Sequence, residues 1–504
     1  MARIGYTTRY FIRDDITMRS LFRHQPPALS MIFMLELWER FGYYTMQGIL
    51  TLYFIRHLGF DDKTAYQTFG AMSALIYGMV VVGGYLGDKV LGIKRTMILG
   101  LWVLCLGYFS LALSGVTHVF YALGIICVGN GLFKSNPANL LSKAYEEDDT
   151  RLHSGYTLYY MAVNVGSIGA LLAGPWVADH FGYPYAFLMS AIGIGLGLAH
   201  YAFWRQTIAN IVSLVDTQLI SMRRWGLIVL GIVLCVFLVA ALLKHVMIAK
   251  IVVVGITLAT LVIYCRLMMH ATRAMFYRML LALILMLEAI VFFTLYQQMP
   301  TSLTLFAVHN VHPELLGIYL DPQSFQALNA IWIVVLSPLM AIFYQYLHQN
   351  NIHIHVVYKF AAGMSSCACG FLLLFCSRYI HNDASLISSW WLVASYFFQS
   401  LGEVLISALG LAMVAELVSK VHAGFVMGMW FLTTAITGFT GAWVASLTAL
   451  PHGVVAPLDS LMIYTHVFAQ IGVVTAMIAV LLWVISPFLV RMQFMTNRAD
   501  EHGA

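Results

Sequence analysis

The composition of this 504-residue chain excludes an ordinary water-soluble domain, because 61% of the residues are hydrophobic and only 10% are charged. With a mean hydropathy of +0.82, it predicts an all-α, polytopic membrane protein embedded in a lipid bilayer. The formal net charge of +5 is not a nucleic-acid footprint, because the basic residues form no stripe interleaved with aromatic side chains. We therefore expect no nucleic-acid partner.

Apolar stretches recur along the chain at lengths that can span a bilayer, which takes about 17–25 residues. They predict fourteen transmembrane helices. The stretches run at about 28–55, 64–87, 96–114, 117–143, 153–178, 184–204, 225–243, 251–268, 280–306, 325–348, 357–379, 388–419, 422–448 and 463–490.

The distribution of basic residues predicts the orientation. Residues 1–27 carry five arginines but no apolar core or cleavage site, so they do not read as a signal peptide. Lys and Arg cluster on alternate loops, near 89–95, 143–151, 223–224 and 266–278. The opposite loops hold few, so the positive-inside rule predicts that both termini are cytoplasmic.

The first span carries three ionisable side chains on one helix face. Glu36, Glu39 and Arg40 occupy positions i, i+3 and i+4, and Tyr43 and Tyr44 continue the face. A charge at the bilayer centre costs about 3 kcal/mol on insertion scales. This face must therefore line water, a substrate or a partner charge.

Residues 36–44, ELWERFGYY, read as ExxERFxYY. The motif resembles the first helix of the proton-coupled oligopeptide transporters, a branch of the major facilitator superfamily, and is most similar to the di- and tripeptide permeases of Gram-negative bacteria. The resemblance implies a proton-coupled symporter that imports di- and tripeptides across the inner membrane by alternating access. It also implies no catalytic activity and no cofactor, with the proton as co-substrate.

The resemblance implies the superfamily fold, with two six-helix bundles and an inserted two-helix hairpin. The hairpin falls in a stretch that has no charge in mid-membrane. We predict a cytoplasmic segment at 1–27, a first bundle at 28–205, a linker with two extra helices at 206–279, a second bundle at 280–490 and a cytoplasmic tail at 491–504. Bundle repeats of this kind place substrate near the midplane between them.

The loop after the second span, residues 83–95, reads GGYLGDKVLGIKR and resembles the cytoplasmic loop motif of the superfamily. Asp88, Lys94 and Arg95 are its charged members, and we expect them to clamp neighbouring helices as a gate. The alternative is a plain basic loop that follows the positive-inside rule.

Lys134 lies in the fourth span and needs a carboxylate, for which the first-span acids are the natural candidates. A purely structural ion pair between two helices is the alternative. The resemblance implies that Glu36, Glu39, Arg40 and Lys134 exchange partners as a proton and the substrate carboxylate come and go. It also assigns Tyr44 to the substrate site.

The fifth span carries a polar stripe, because Tyr156, Tyr160 and Asn164 are spaced by four residues. Such stripes often only join helices. The segment also resembles the family signature FYxxINxGS, which implies that Tyr160 and Asn164 bind peptide. Tyr77 in the second span matches another substrate-facing tyrosine, and its alternative is a buried hydroxyl bonded to a neighbour.

The second bundle has an acid in mid-span, Glu403, with Ser407 one turn further on. A zwitterionic peptide carries a carboxylate and an ammonium, so a cationic site on one bundle and an acid on the other would complement it. The resemblance implies that Glu403 receives the peptide N-terminus and that Asn329 contacts peptide. Ala408 replaces the proline usual in the family, which leaves the local helix geometry open.

Two further positions depart from the family pattern. Gln297 stands where many relatives have a glutamate, so proton coupling must rest on Glu36 and Glu39, with Glu403 as a further candidate. Gln47 stands where many relatives have an arginine, which leaves the details of the extracellular gate open. Glu288 belongs to no family motif. A pairing of its carboxylate near the inner membrane surface and a functional role are equally open.

Other functions are less consistent with the chain. A different substrate, such as nitrate or a peptide-like metabolite, is the main alternative, but a small inorganic anion has no use for Glu403. A membrane sensor or an intramembrane enzyme lacks support, because there is no sizeable soluble domain and no catalytic constellation. A GxxxxGK[ST] loop for ATP is absent from the sequence, and the seven cysteines lie in or at the ends of apolar spans without metal-ligand spacing.

Overall fold

The computed structural model describes residues 25–501 except 147–148, 150, 212–214, 353, 418–422 and 452–454, and the side chains at 153, 407–425, 427 and 492–501 lie outside that description. The described chain is helical. Its α-helices are α1 (Pro27–Leu52), α2 (Asp62–Tyr85), α3 (Ile93–Ala112), α4 (Val119–Lys134), α5 (Asn136–Ser142), α6 (Arg151–Phe181), α7 (Tyr183–Trp204), α8 (Met222–Lys244), α9 (Val246–Met269), α10 (Arg273–Tyr296), α11 (Ser302–Asn310), α12 (Ala327–Gln349), α13 (Val356–Cys376), α14 (Trp390–Leu417), α15 (Ala423–Ser446) and α16 (Pro457–Glu501).

Shorter elements extend or join these helices. Turns of π-helix follow α1 and α2, at Tyr53–His57 and Leu86–Val90, and 3₁₀ turns lie at Arg205–Ile208, Pro322–Gln326 and Ser377–Tyr379. Strands β1 (Glu314–Leu315) and β2 (Ile318–Tyr319) form a small antiparallel hairpin.

Helices occupy all fourteen predicted spans. In the described part of the chain, ten helical spans are long and apolar enough to cross a membrane. The other four predictions coincide with α1, with α4 and α5 together, with α14 and with α15. The first of these is less apolar because it carries Glu36, Glu39 and Arg40.

Two predicted spans are interrupted where proline prevents a regular helix. The fourth changes from α4 to α5 at Ser135, just before Pro137 in the first turn of α5. The span predicted at 280–306 divides into α10 and α11 at Gln297–Thr301, which includes Pro300. Proline lacks an N–H and clashes with the preceding turn, which favours a break at both places, whereas Pro175, Pro338 and Pro487 lie inside continuous helices.

The buried side chains form two hydrophobic cores. One is built mainly from α1–α8, and the other mainly from α10–α16. Both helices of the inserted hairpin contribute buried residues to the first core, including Val239 on α8 and Ala249 on α9, and α8 packs on α4 while α9 packs on α15 of the second group and on α2. The exact segment boundaries at 206 and 280 stay predictions.

The two groups interlock at one end of the molecule. We call the end where α1 begins the terminal face and the end where α1 finishes the opposite face. At Gly70 on α2 and Gly438 on α15 the two backbones touch, and a Cβ on either glycine would overlap the other helix. Leu52 and Tyr66 from the first group are buried in the second core.

Hydrogen bonds between the groups reinforce this contact. Thr51 Oγ1 donates to the Pro300 carbonyl at 2.7 Å, and Gln326 Nε2 donates to the Gly48 carbonyl at 3.0 Å. The Leu450 N–H donates to the Asp62 carboxylate at 3.2 Å. The described conformation is therefore closed at the opposite face.

Candidate functional site

The three ionisable residues of α1 form one buried cluster. Glu36, Glu39 and Arg40 are 4%, 0% and 4% exposed. Arg40 Nε lies 3.3 Å from Glu36 Oε1, and the guanidinium also pairs with the Glu39 carboxylate. One cation thus serves two acids in a dry environment, where an uncompensated charge is costly. Binding one proton would balance the cluster.

Neighbouring helices hold both carboxylates. Asn130 Nδ2 on α4 donates to Glu39 Oε1 at 3.1 Å, and the Tyr159 hydroxyl on α6 is hydrogen-bonded to Glu36. Neither partner was identified from the sequence. The available signals were weak, because Asn130 lies one turn before Lys134 and Tyr159 directly precedes Tyr160.

Lys134, at the end of α4, does not have the carboxylate partner that the sequence led us to expect. Its Nζ lies over the ring of Tyr77, 4.0 Å from the centroid. Among the described residues no carboxylate oxygen lies within 4.0 Å of it. The reason is that both first-span acids already share Arg40, so Lys134 interacts with them only through longer-range electrostatics.

A second cluster surrounds the acid of the second bundle. Asn329 Nδ2 on α12 donates to Glu403 Oε2 on α14 at 2.8 Å, and it also lies 3.1 Å from Ser400 Oγ. The Tyr160 hydroxyl, from α6 of the first bundle, is hydrogen-bonded to Glu403 as well. The structure therefore joins three residues that were predicted from separate motifs. Ser400 was missed, although it lies one turn before Glu403.

Side chains on α6 and α1 connect the two clusters. The consecutive residues Tyr159 and Tyr160 reach Glu36 and Glu403 respectively. Tyr44 on α1 is hydrogen-bonded to Tyr296 on α10 and interacts electrostatically with both Arg40 and Glu403. A cationic group and an acid thus face each other across the bundle interface.

Asn164 and Ser407 are two other residues that were predicted to bind peptide. The Asn164 amide is 5% exposed and donates to the Tyr160 carbonyl of its own helix at 2.9 Å. Tyr160 is 42% exposed, so it presents more surface than Asn164. Ser407 lies on α14, but its side chain is outside the described residues.

The predicted gate residues contact the linker and α5. Lys94 Nζ donates to the Ala209 carbonyl at 3.2 Å, and Arg95 Nη1 donates to the Gln218 carbonyl at 2.9 Å. Asp88 accepts from Asn139 Nδ2 at 3.0 Å. The motif thus fastens the first bundle to the segment leading into the hairpin.

Gln297, which departs from the family pattern, and Glu288, which belongs to no family motif, have distinct environments. Gln297 Nε2 donates to Ser73 Oγ on α2 at 2.6 Å, so the residue joins the two bundles as a neutral side chain. Glu288 on α10 is 5% exposed, and among the described residues neither of its carboxylate oxygens has a hydrogen-bond partner. Glu288 therefore stands apart from both clusters.

Within the described residues, no group of three or more His, Cys, Asp or Glu side chains is arranged to hold a metal ion.

Comparison with known sequences identifies related proteins. The model of the POT family, PTR2, matches residues 94–462. Dipeptide and tripeptide permease B of Aeromonas hydrophila is 47% identical over 471 residues, which cover 93% of this chain and 94% of that protein. Dipeptide and tripeptide permease A of Chromobacterium violaceum is 45% identical over 470 residues, covering 93% and 94%.

Solved structures are similar in fold. Tetrameric PepTSo2 matches with a TM-score of 0.83 and 36% identity, over 92% of this chain and 98% of that one. A structure of a proton-dependent oligopeptide transporter, studied for substrate recognition, matches with a TM-score of 0.82 and 35% identity, over 92% and 99%. These likenesses confirm the predicted architecture of two bundles with an inserted hairpin.

Proposed function

The chain belongs to the POT family, and from this premise we propose that it is a proton-coupled symporter that imports di- and tripeptides across the inner membrane by alternating access. The substrate class follows the names of the permease relatives. The protein is a multi-pass membrane protein, and the positive-inside bias supports cytoplasmic termini and hence a cytoplasmic terminal face.

The observation that carries the proposal is a pair of sites of opposite charge at the interface between the bundles, which we call the two poles. Arg40 and Lys134 lie on the first bundle, and Glu403 with Asn329 lies on the second. A short zwitterionic peptide has its carboxylate and ammonium at its two ends. It can satisfy both poles at once, whereas nitrate has no cationic group to offer Glu403.

Each pole has a defined part in binding. The Lys134 ammonium lies on the Tyr77 ring, so the peptide carboxylate can reach it, together with Arg40, without first breaking an ion pair of the lysine. At the other pole, the ammonium replaces the Tyr160 hydroxyl or the Asn329 amide at Glu403. Tyr44, Asn164 and Ser407 complete the proposed binding set along the peptide.

Proton coupling is assigned to the α1 cluster with Lys134. When a proton neutralises Glu36 or Glu39, Arg40 needs only one acid and is released toward the substrate carboxylate. When the peptide leaves, Arg40 returns and the proton is shed. The membrane potential adds about 2.3 kcal/mol per charge per 100 mV to the driving force.

The role of the predicted gate residues follows from their positions in the fold. Asp88, Lys94 and Arg95 act as a gate support, because Lys94 and Arg95 tie α3 to the linker and Asp88 ties the turn after α2 to α5. The protein is a transporter and not an enzyme, and its chemistry needs the proton as co-substrate but no resident cofactor.

Competition with modified dipeptides tests the two-pole site in proteoliposomes. A dipeptide amidated at its C-terminus should compete for uptake about 10- to 100-fold less well than the free form, since it loses a charged hydrogen bond worth roughly 1.5–3 kcal/mol. Equal competition by both forms would contradict the carboxylate pole. Uptake of nitrate without uptake of dipeptides would contradict the substrate class.

A further inference from the structure

The inserted hairpin creates a groove that the transport site does not use. A cavity of about 300 Å³ lies where α2, α9 and α15 meet at the opposite face. It therefore touches one helix from each bundle and one from the hairpin. Gly70 and Gly438, where α2 and α15 are in closest contact, lie on the same pair of helices.

The groove is amphipathic. Lys63 and Lys250 line it beside the amide of Gln67, while Met247, Phe439 and Trp443 supply an apolar wall. Lys63 is the second residue of α2 and Lys250 lies in the second turn of α9. Both positive charges thus lie within two turns of a helix end at the opposite face, near the level of the lipid headgroups, with the apolar side chains beside them.

Both lysines are available for an anion. In the described part of the chain neither makes an ion pair within 4.0 Å. The nearby acids are engaged elsewhere, because Asp61 caps α2 through Thr64 and Asp62 accepts from the Leu450 N–H. The pair therefore presents two positive charges that make no ion pair with any described residue.

From this arrangement we infer that the groove binds an anionic glycerophospholipid of the leaflet at the opposite face. The phosphate lies between Lys63 and Lys250, and an acyl chain packs on the apolar wall. Such a lipid bridges both bundles and the hairpin beside the α2–α15 contact. Its binding therefore stabilises the conformation closed at the opposite face, and it gives the two extra helices a role.

Native mass spectrometry of the purified full-length protein tests the inference, with equimolar dimyristoyl phosphatidylglycerol and dimyristoyl phosphatidylcholine as probes. The wild type should retain the anionic lipid with roughly 30-fold preference, as two surface basic residues provide. The double variant Lys63→Gln/Lys250→Gln should bind both lipids equally. The variant Ser446→Phe keeps both lysines but fills the groove, and it should bind less phosphatidylglycerol.

A matched control is Lys143→Gln/Lys244→Gln, which removes the same charge at exposed positions outside the groove, and it should keep the preference. Thermal unfolding in detergent checks that each variant is folded. The inference is overturned if the Lys63/Lys250 variant keeps the preference, if the control loses it equally, or if Ser446→Phe binds as the wild type does.

Discussion

Arg40 is shared by two buried carboxylates, and this unequal pairing is the chemical basis of the proposed coupling. Glu39 is held by Arg40 and Asn130, and Glu36 by Arg40 and Tyr159. Both acids thus lie where an added proton changes the partner of the arginine. At the other pole, Glu403 accepts a hydrogen bond from Asn329 and is contacted by Tyr160, and both of these side chains are neutral. A peptide ammonium would bring Glu403 a compensating charge.

Replacing either first-span acid should separate binding from coupling. Glu36→Gln and Glu39→Gln remove the titratable group but keep the side-chain shape. We expect each to lose gradient-driven accumulation of a labelled dipeptide while exchange of dipeptide across the membrane at equal pH continues. Glu314→Gln, at an exposed position in β1, is the control. Full accumulation by both acid variants would refute their assignment.

Glu403→Gln should affect substrates according to their N-terminus. The variant loses the charge that pairs with a peptide ammonium, worth roughly 1.5–3 kcal/mol and hence about 10- to 100-fold in affinity. N-acetylated dipeptides have no ammonium, so their weaker affinity should change much less. Competition assays with both forms measure the difference. A loss that is the same for both would make Glu403 structural or a proton site only.

At the scale of the helices, α2 and α15 make a close backbone contact between the two bundles. Alternating access requires this contact to close tightly at the opposite face in one conformation and to separate in another. Glycine is needed at positions 70 and 438 because a side chain would occupy the space of the other backbone. The hydrogen bond from Gln297 to Ser73 joins α10 and α2 nearby.

Gly438→Ala should therefore impair closure. The added Cβ would overlap Gly70 and crowd Ala74, and overpacking of this kind typically costs about 1–3 kcal/mol. We expect slower dipeptide uptake and a lower unfolding temperature. Gly428→Ala on the same helix is the matched control, because a Cβ there meets no atom of the described residues within 4 Å. Equal behaviour of the two variants would mean that the contact is not limiting.

The transporter as a whole consists of two bundles that meet at a polar centre. The sequence predicted the fourteen spans and most polar residues of the centre, because charges inside apolar helices are rare and conspicuous. It did not reveal that Lys134 lies on Tyr77 instead of pairing with an acid. Nor did it reveal that Tyr160 reaches Glu403, because contacts between residues 243 positions apart depend on how the bundles pack.

Proton-driven accumulation of peptide is the property that distinguishes this transporter from a passive peptide channel and from an anion carrier. The direct measurement uses proteoliposomes that contain the purified protein and an imposed inward proton gradient. We expect a labelled dipeptide to accumulate above its external concentration, and the accumulation to collapse when a protonophore removes the gradient. Uptake that stops at equal concentrations, or that is unchanged by the protonophore, would contradict proton-coupled peptide import.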